Sequence, residues 1–290
     1  MTDTARPPGA AAGWGAKMRM DLGIPIGLAL GLAGIVGSVL VDGGNLFAFA
    51  NLSALLIIGG GTLGAAMVST TVGDVLRLPL LVRKALWGWV GADCRSLITA
   101  LVGAAQRARK DGILSLEQMS GDPMLDPFLS RGMRLVVDGA DETTVREILR
   151  AEIAAMERRH HRGISLLESM GGYAPTMGII GTVLGLVHVL AKLGEGGTDG
   201  LGEGIAVAFI ATLYGIFSAN VLFLPLAGNL RGKSTEEVFR REMVMEGILG
   251  IQAGHNPHIL EQRLNAYFPI PIDDSPPGGI RAGVSGVQRI

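Results

Sequence analysis

Four long stretches without a charged side chain constrain what this chain can fold into. They cover residues 22–41, about 46–72, 171–190 and 205–230, and none of them contains Asp, Glu, Lys or Arg. The hydrocarbon core of a bilayer is about 30 Å thick and is crossed by about 20 helical residues. Each stretch reaches that length, so the sequence predicts four transmembrane helices.

The first stretch has a second interpretation as a signal peptide, because Lys17 and Arg19 precede it. A signal peptide has an apolar run of only about 7–15 residues, followed by a cleavage site with small residues in an A-x-A-like pattern. The stretch here is longer, and no such site follows it. We therefore interpret it as the first span.

Lysine and arginine are distributed unevenly around the four stretches. Of the 25 such residues, three precede the first stretch, fourteen lie between the second and third, and seven follow the fourth. The turn after the first stretch has none, and the turn after the third has only Lys192 at its edge. The positive-inside rule therefore predicts that both termini and the long middle segment are cytoplasmic.

These observations predict an all-α integral membrane protein with two helical hairpins in the membrane. A helical cytoplasmic domain would lie between spans two and three, and a cytoplasmic helical segment would follow span four. The predicted parts are a partly disordered N-terminal segment (1–21), the first hairpin (22–73), the cytoplasmic domain (74–168), the second hairpin (169–230), C-terminal helices (231–268) and a disordered tail (269–290).

Four local signals predict helix ends. Two segments have the pattern of a capping box, in which a Ser or Thr and a Glu three residues later satisfy free backbone N–H groups. An Asp-Gly pair is typical of a helix end and an Asn-Pro pair of a helix start. The capping boxes lie at residues 144–147 and 234–237, and the two pairs lie at 111–112 and 256–257.

The sequence contains no recognisable catalytic or metal-binding pattern. The motifs G-x-x-x-x-G-K-[ST], H-E-x-x-H and G-x-S-x-G are all missing, and the single Cys94 excludes a cysteine cluster. His160 and His161 lie among arginines, which favours a solvated basic face. The net charge of −1 gives no reason to expect a nucleic-acid partner. We therefore expect no enzyme activity, cofactor or metal.

Small and hydroxylated residues form stripes along the third and fourth stretches. Either tight helix packing or a narrow path for an ion would use such stripes. Thr182 and Thr212 are the best candidates for lining a path, and Pro175 and Pro225 are candidate hinges because proline removes a backbone hydrogen bond. Ion pumps place a carboxylate at membrane depth. Because these stretches have none, with His188 their only ordinary titratable group, a partner would have to supply the carboxylate.

Several motifs resemble those of the flagellar stator subunits MotA, PomA and MotP, in the same order, between about residues 22 and 268. Residues 172–186 (GYAPTMGIIGTVLGL) are similar to the third-span motif, and residues 211–215 (ATLYG) and 223–227 (FLPLA) to the fourth-span motif. Residues 109–117 (RKDGILSLE) resemble the segment that touches the rotor. Residues 246–254 (EGILGIQAG), with the Asn-Pro pair after them, resemble the C-terminal segment.

The resemblance implies a pentamer in the bacterial inner membrane around two copies of a MotB/PomB-type partner. That partner has one span, is anchored to peptidoglycan, and carries H⁺ or Na⁺ on its membrane Asp. By the motif match, Arg109 and Glu117 would contact the rotor protein FliG. Pro175 and Pro225 would be the prolines needed for torque, and Thr182 and Thr212 would face the ion path.

Three alternatives stay open at this point, as does the identity of the ion. An ExbB/TolQ-type energiser of an outer-membrane process has a similar third-span glycine pattern, but that family has three spans rather than four. A self-contained transporter would need its own coupling groups in the spans. A passive membrane scaffold would show no motility defect on deletion.

Overall fold

The computed structural model describes residues 18–20, 23–89, 94–123, 125–194 and 201–267. Most of the predicted N-terminal segment and all of the predicted tail at 269–290 lie outside these residues. The α-helices are α1 (Gly23–Val41), α2 (Leu52–Ser69), α3 (Val72–Leu76), α4 (Leu78–Leu86), α5 (Cys94–Asp111), α6 (Leu116–Ser120), α7 (Pro127–Val137), α8 (Glu142–Gly194), α9 (Leu201–Phe217), α10 (Leu224–Gln252) and α11 (Pro257–Asn265). Two 3₁₀ turns (Leu46–Phe49 and Ile113–Ser115), a π-helical segment (Ser218–Phe223) and two strands, β1 (Met18–Met20) and β2 (Trp87–Trp89), complete the elements.

The fold is helical, as the sequence predicts, apart from one short ribbon. Strands β1 and β2 pair antiparallel, with Met18 opposite Trp89 and Met20 opposite Trp87. The predicted all-α fold class is confirmed, and these six residues are the exception to it among the described residues. Aromatic side chains favour extended backbone, and the short segment Trp87–Trp89 has two of them.

Among the residues that the structure describes, four helices are long and apolar enough to cross a membrane. They are Gly23–Val41, Leu52–Ser69, Glu142–Gly194 and the continuous helical run Gly204–Gln252, and each overlaps one of the four apolar stretches. The first of them buries none of its residues against the rest of the chain. An apolar helix with so little internal packing needs an apolar surrounding.

Helix α2, in the second stretch, is shorter than the span predicted at about 46–72. Its first residues form a 3₁₀ turn, and α2 begins only after Asn51, whose side chain accepts a hydrogen bond from the Ala54 N–H at 2.9 Å. The helix ends at Ser69, and Thr71 then caps α3 through the Asp74 N–H. Local side-chain caps therefore divide an apolar run that hydropathy alone treats as one helix.

The two longest helices run through boundaries that the sequence suggested. Helix α8 is unbroken from Glu142 to Gly194, and α10 is unbroken from Leu224 to Gln252. The predicted capping box at 234–237 is therefore wrong, because these residues lie inside α10. At 144–147 the cap is Asp141 instead, whose Oδ2 accepts from the Thr144 N–H at 3.1 Å. The Asp-Gly helix end and the Asn-Pro helix start are confirmed.

The chain divides into two compact units, which are described separately. The first unit comprises residues 1–93 and 147–242. Its core has one buried stripe from α2, with Ala54, Ile58 and Ala66 packed among residues of α8, α9 and the π-helical segment. A second cluster joins α4 to α8 and α10 through Ala85, Leu167 and Leu226.

The second unit comprises residues 94–146 and 243–290. Its short helices each bury one apolar face, and Leu97, Leu101 and Leu129 are fully inaccessible to solvent. Each such leucine contributes about 1.5–3 kcal/mol by leaving water. A Cβ atom added at Gly247 would lie 2.6 Å from Leu101 Cδ1, so glycine at this position allows α10 to pack closely on α5.

Candidate functional site

Glycine and alanine bring α8 and α9 into close contact. A Cβ atom added at Gly185 would lie 2.9 Å from the Ala208 Cβ atom, and one added at Gly215 would lie 2.5 Å from the Ala174 carbonyl oxygen. Both distances are well below van der Waals contact between such atoms. Glycine is therefore required at these positions for the two helices to approach as they do.

Thr182 and Thr212 meet at this contact between α8 and α9. Their hydroxyl oxygens are within hydrogen-bond distance of each other. The Thr182 hydroxyl also lies 3.1 Å from the carbonyl oxygens of both Gly178 and Ala208. Because a hydroxyl has only one proton to donate, Thr182 can serve one of these acceptors at a time.

The arrangement is a group of neutral oxygens on two half-buried threonines. Such oxygens can replace part of the hydration shell of a small cation, but they cannot take up and release a proton near neutral pH. Among the residues that the structure describes, no group of three or more His, Cys, Asp and Glu is placed to hold a metal ion.

Tyr214 has a structural role that sequence reasoning missed. Its hydroxyl donates to the carbonyl oxygen of Phe49 and accepts from the Asn51 N–H at 3.4 Å. These bonds tie α9 to the turn that precedes α2. A tyrosine inside an apolar stretch is itself the signal, because a buried phenol needs a polar partner.

The two candidate hinge prolines occupy different local environments. Pro175 lies inside the unbroken α8, where its missing N–H leaves the Gly171 carbonyl without its helical donor. Pro225 follows the π-helical segment, in which the Leu224 N–H donates to the Ala219 carbonyl five residues earlier. Pro225 has no N–H to continue this series.

The surroundings of the two prolines are in contact. A Cβ atom added at Gly171, four residues before Pro175, would lie 2.6 Å from Leu224 Cδ2. Leu224 directly precedes Pro225. The backbone irregularities of α8 and of the π-helical segment are therefore packed against each other.

Arg109 and Glu117 lie on either side of a sharp turn in the second unit. Arg109 is in the last turn of α5, and Glu117 is in the first turn of α6, where each charge has a favourable interaction with the helix dipole. Gly112 makes the turn with a φ of +83°, a conformation that favours glycine. Both charged side chains are exposed, and between them Leu114 is 72% exposed.

His160 departs from the solvated basic face predicted for residues 158–162. Its side chain is 30% exposed, its Nδ1 lies 3.0 Å from the Ser234 hydroxyl of α10, and its Nε2 lies 3.9 Å from Glu237. Burial lowers the pKa of His160 below its ordinary value, although the nearby Glu237 acts in the opposite direction. His161, in contrast, is exposed as predicted. Helical periodicity was the missed signal, because only one of two adjacent residues can face α10.

Comparisons with known proteins agree with the geometry of these helices. Residues 121–243 match the model of the MotA/TolQ/ExbB proton channel family. The chain is similar to Motility protein A of Bacillus subtilis (strain 168), with 36% identity over 250 residues that cover 86% of this chain and 92% of that protein.

Two solved structures are also similar to the chain. The flagellar MotAB stator complex from Bacillus subtilis has a TM-score of 0.78 and 38% identity, and the alignment covers 86% of this chain and 96% of that one. The C. jejuni MotAB structure has a TM-score of 0.80 and 29% identity, and the alignment covers 89% of this chain and 98% of that one.

Proposed function

The chain belongs to the MotA family of flagellar motor stator subunits, and on this premise we propose how its residues guide an ion and convert its passage into torque. Thr182 and Thr212 line the ion path. The observation that carries this proposal is the contact of their hydroxyls between α8 and α9, next to the Gly178 and Ala208 carbonyl oxygens.

The group that binds and releases the ion belongs to a partner. The four apolar stretches contain no acidic residue, and neutral hydroxyls and carbonyls can stabilise a passing cation without trapping it. A single-span, peptidoglycan-anchored subunit of the MotB/PomB type would bring the carboxylate. The chain would form a pentamer around two such partners, and its neutral oxygens suit either H⁺, carried on water, or Na⁺. No cofactor other than the transported ion is needed.

In this proposal the protein lies in the bacterial inner membrane with both termini in the cytoplasm. The support is the distribution of Lys and Arg, of which fourteen lie between the second and third stretches. Helices α1, α2, α8 and α9 with the π-helical segment would cross the bilayer. The second unit would then be cytoplasmic, where it can reach a rotor.

Torque requires movement inside the membrane and a contact outside it. Pro175 and Pro225 would allow α8 and the helix after the π-helical segment to bend, because each lacks an N–H that would hold a straight helix. Arg109 and Glu117 would contact the rotor protein FliG. Opposite charges that are exposed in adjacent turns suit a contact that must form quickly and release again.

The proposed ion path can be tested by measuring the swimming speed of the source bacterium after its own copy of the gene has been deleted. The full chain is expressed with its partner as wild type, Thr182→Val or Thr182→Ser. Valine keeps the shape of the side chain but removes its hydroxyl oxygen. Because an ion in a water-poor path would lose one oxygen ligand, we expect the swimming speed to fall about tenfold. Serine should retain most of the speed. Normal swimming with valine at equal membrane levels contradicts the assignment.

The co-purified partner and the purified chain distinguish the remaining alternatives. A single-span partner with a peptidoglycan-binding domain supports the stator, whereas a TonB-like or TolR-like partner supports an ExbB/TolQ-type energiser. Cation flux in proteoliposomes that contain this chain alone would support a self-contained transporter. Deletion of the gene without a motility defect would support a passive scaffold.

A further inference from the structure

Two exposed leucines lie side by side on the segment that follows α2. Arg77 alone separates α3 from α4, and its backbone keeps the right-handed helical conformation, with the Leu81 N–H donating to the Arg77 carbonyl at 3.0 Å. Leu76 and Leu80 are therefore one helical turn apart on the same face. The two residues are 75% and 51% exposed, so together they form an exposed apolar patch.

The opposite face of α4 lies at the ends of the apolar stretches. Ala85 is buried in a cluster with Leu226 and Ala227, which lie near the end of the fourth stretch, and with Leu167, four residues before the third. Ile24, the second residue of α1, packs against the same cluster. Helix α4 is therefore at the level at which three of the four apolar stretches begin or end.

The chain stays at this level after it leaves α2. Ala85 lies 16 residues beyond Ser69, the last residue of α2, and a straight helix of that length would extend roughly 24 Å away from it. Ala85 is instead packed in a cluster with residues of the fourth stretch. Residues 72–86 therefore run along the ends of the spans. In the proposed membrane placement, this is the cytoplasmic headgroup region.

Three cations surround the exposed leucines. Arg77, Arg83 and Lys84 are exposed, and the side chain of none of them has a hydrogen bond or ion pair with a residue that the structure describes. Arg83 and Lys84 lie on either side of Leu80 around the helix axis. The only carboxylate in residues 72–86 is Asp74, in the first turn of α3. The exposed face thus combines an apolar stripe with an excess of positive charge.

We propose that residues 72–86 form an interfacial segment that binds the anionic surface of the cytoplasmic leaflet. Leu76 and Leu80 insert at the boundary between headgroups and acyl chains, and the three cations bind lipid phosphates. A lipid surface fits this face better than a second copy of the chain, because it offers apolar and anionic groups at the level of the span ends. The inference goes beyond the proposed function but rests on the membrane placement proposed there.

A fluorophore at position 80 tests the insertion. The full chain, in complex with a cysteine-free partner, carries Leu80→Cys in a Cys94→Ser background and is reconstituted in vesicles of phosphatidylcholine and phosphatidylglycerol. Because an interfacial helix lies about 5–10 Å into the boundary region, a lipid spin-labelled just below its headgroup should quench this dye at least about threefold more than a dye on Leu114→Cys. Leu114 is the matched control, because it is a leucine of the second unit that is 72% exposed.

Two results would overturn the inference. The first is equal quenching of the dyes at positions 80 and 114 by the spin-labelled lipid. The second is a dye at position 80 that neither this lipid nor aqueous iodide quenches, because another copy of the chain or the partner would then cover the stripe.

A dye on Leu30→Cys separates this inference from the placement on which it rests. Leu30 lies in the middle part of α1 and is 68% exposed, so a lipid labelled deep in its acyl chain should quench a dye there. If the dye at position 30 is quenched and the dye at position 80 is not, only the inference fails. If neither dye is quenched by lipid, the proposed membrane placement fails as well.

Removal of the three cations tests the contact with phosphate. The charge variant combines Arg77→Gln, Arg83→Gln and Lys84→Gln. The control removes the same charge from exposed positions outside the segment, by Arg107→Gln, Lys110→Gln and Arg150→Gln. Adding phosphatidylglycerol to phosphatidylcholine vesicles should raise the Tm of the wild-type complex and of the control by several degrees, whereas the charge variant should lose most of this shift. A full shift in the charge variant would overturn the inference, as would an equal loss in the control.

Discussion

At the scale of single residues, glycines, which have no Cβ atom, set the distance between α8 and α9. Gly215 shows this most directly, because an added methyl group would overlap the Ala174 carbonyl oxygen at 2.5 Å. A carbonyl belongs to the backbone and cannot rotate away, so the helices themselves would have to move apart. Separation of the helices would also pull apart the Thr182 and Thr212 hydroxyls.

We therefore expect Gly215→Ala to destabilise the first unit by about 1–3 kcal/mol, the usual cost of overpacking, and to abolish swimming. The Tm of the purified complex and the swimming speed check the two effects. Gly34→Ala is the control, because nothing lies within 4 Å of a Cβ atom added there on α1. Equal behaviour of the two variants would show that α8 and α9 do not need this close contact.

His160 connects the stability of the first unit to pH. Its pKa is lowered in the folded state, so the unfolded chain binds more protons in the range just below pH 6.5. Stability must then rise with pH across this range and fall on acidification. On α8 and α10, the charged groups that affect it are Glu237, Arg159 and Arg241, and Lys84 of α4 acts on it as well.

We expect His160→Gln to reduce the loss of Tm between pH 7.5 and pH 5.5 (about one unit on either side of the ordinary histidine pKa) relative to wild type. The exposed His161→Gln should leave the acid dependence unchanged and serves as the control. A pH profile of His160→Gln that matches wild type would contradict the described packing of His160 against α10.

At the scale of elements, the continuity of α8 through Pro175 determines how a bend can occur. A proline inside a helix leaves one carbonyl free and weakens the helix at that turn alone. The rest of α8 keeps its hydrogen bonds, so a bend of this helix would be confined to the turn before Pro175.

We expect Pro175→Ala to supply the missing N–H to the Gly171 carbonyl and to abolish or greatly reduce swimming, with membrane insertion intact and the Tm unchanged or raised. Immunoblots of membrane fractions, thermal unfolding and swimming speed together check this. Pro127→Ala is the control, because a proline in the first turn of α7 removes no helical hydrogen bond. Normal swimming of Pro175→Ala would exclude the hinge.

Much at this scale could be predicted from the sequence, because hydropathy reports directly on the environment of a helix. The four apolar stretches and the small-residue stripes that bring Thr182 and Thr212 together follow from composition and 3.6-residue periodicity. The ends of the helices could be predicted less accurately from the sequence. Asn51 interrupts an apolar run that hydropathy averages over, whereas Ser234 has the residues of a cap but bonds to His160 inside α10.

The sequence could indicate that the Tyr214 hydroxyl needs a polar partner, but it could not identify that partner. The Phe49 carbonyl and the Asn51 N–H are more than 160 residues away along the chain, and local patterns carry no such information. The π-helical segment before Pro225 was not predicted either, because the apolar pattern of residues 205–230 does not distinguish it from an α-helix.

At the scale of the whole molecule, the proposed rotor surface combines charge with an exposed apolar side chain. Arg109 and Glu117 are exposed on two adjacent helices, and Leu114 between them is 72% exposed. A leucine at the centre of a charged patch can anchor a contact that the charges orient.

We expect Arg109→Glu to impair motility strongly, and Leu114→Ser to lower torque under load several-fold, an effect of about 1 kcal/mol on the contact. Neither change should alter the Tm of the complex or its membrane level, because both residues are on the surface. Lys110→Glu is the control for a change in net charge, because Lys110 is an exposed cation next to Arg109. Full torque in both variants would place the rotor contact elsewhere.

The unbroken backbone of α8 would carry a bend at Pro175, if the proposed hinge operates, over a long distance. The helix from that proline back to Glu147 comprises 28 residues without a break, roughly 42 Å at 1.5 Å per residue. A tilt of only about 10° at Pro175 would displace the far end of this segment by roughly 7 Å. In the proposed mechanism, a small rearrangement beside the ion path would thus give a displacement longer than one helical turn, because no helix break lies between Pro175 and Glu147.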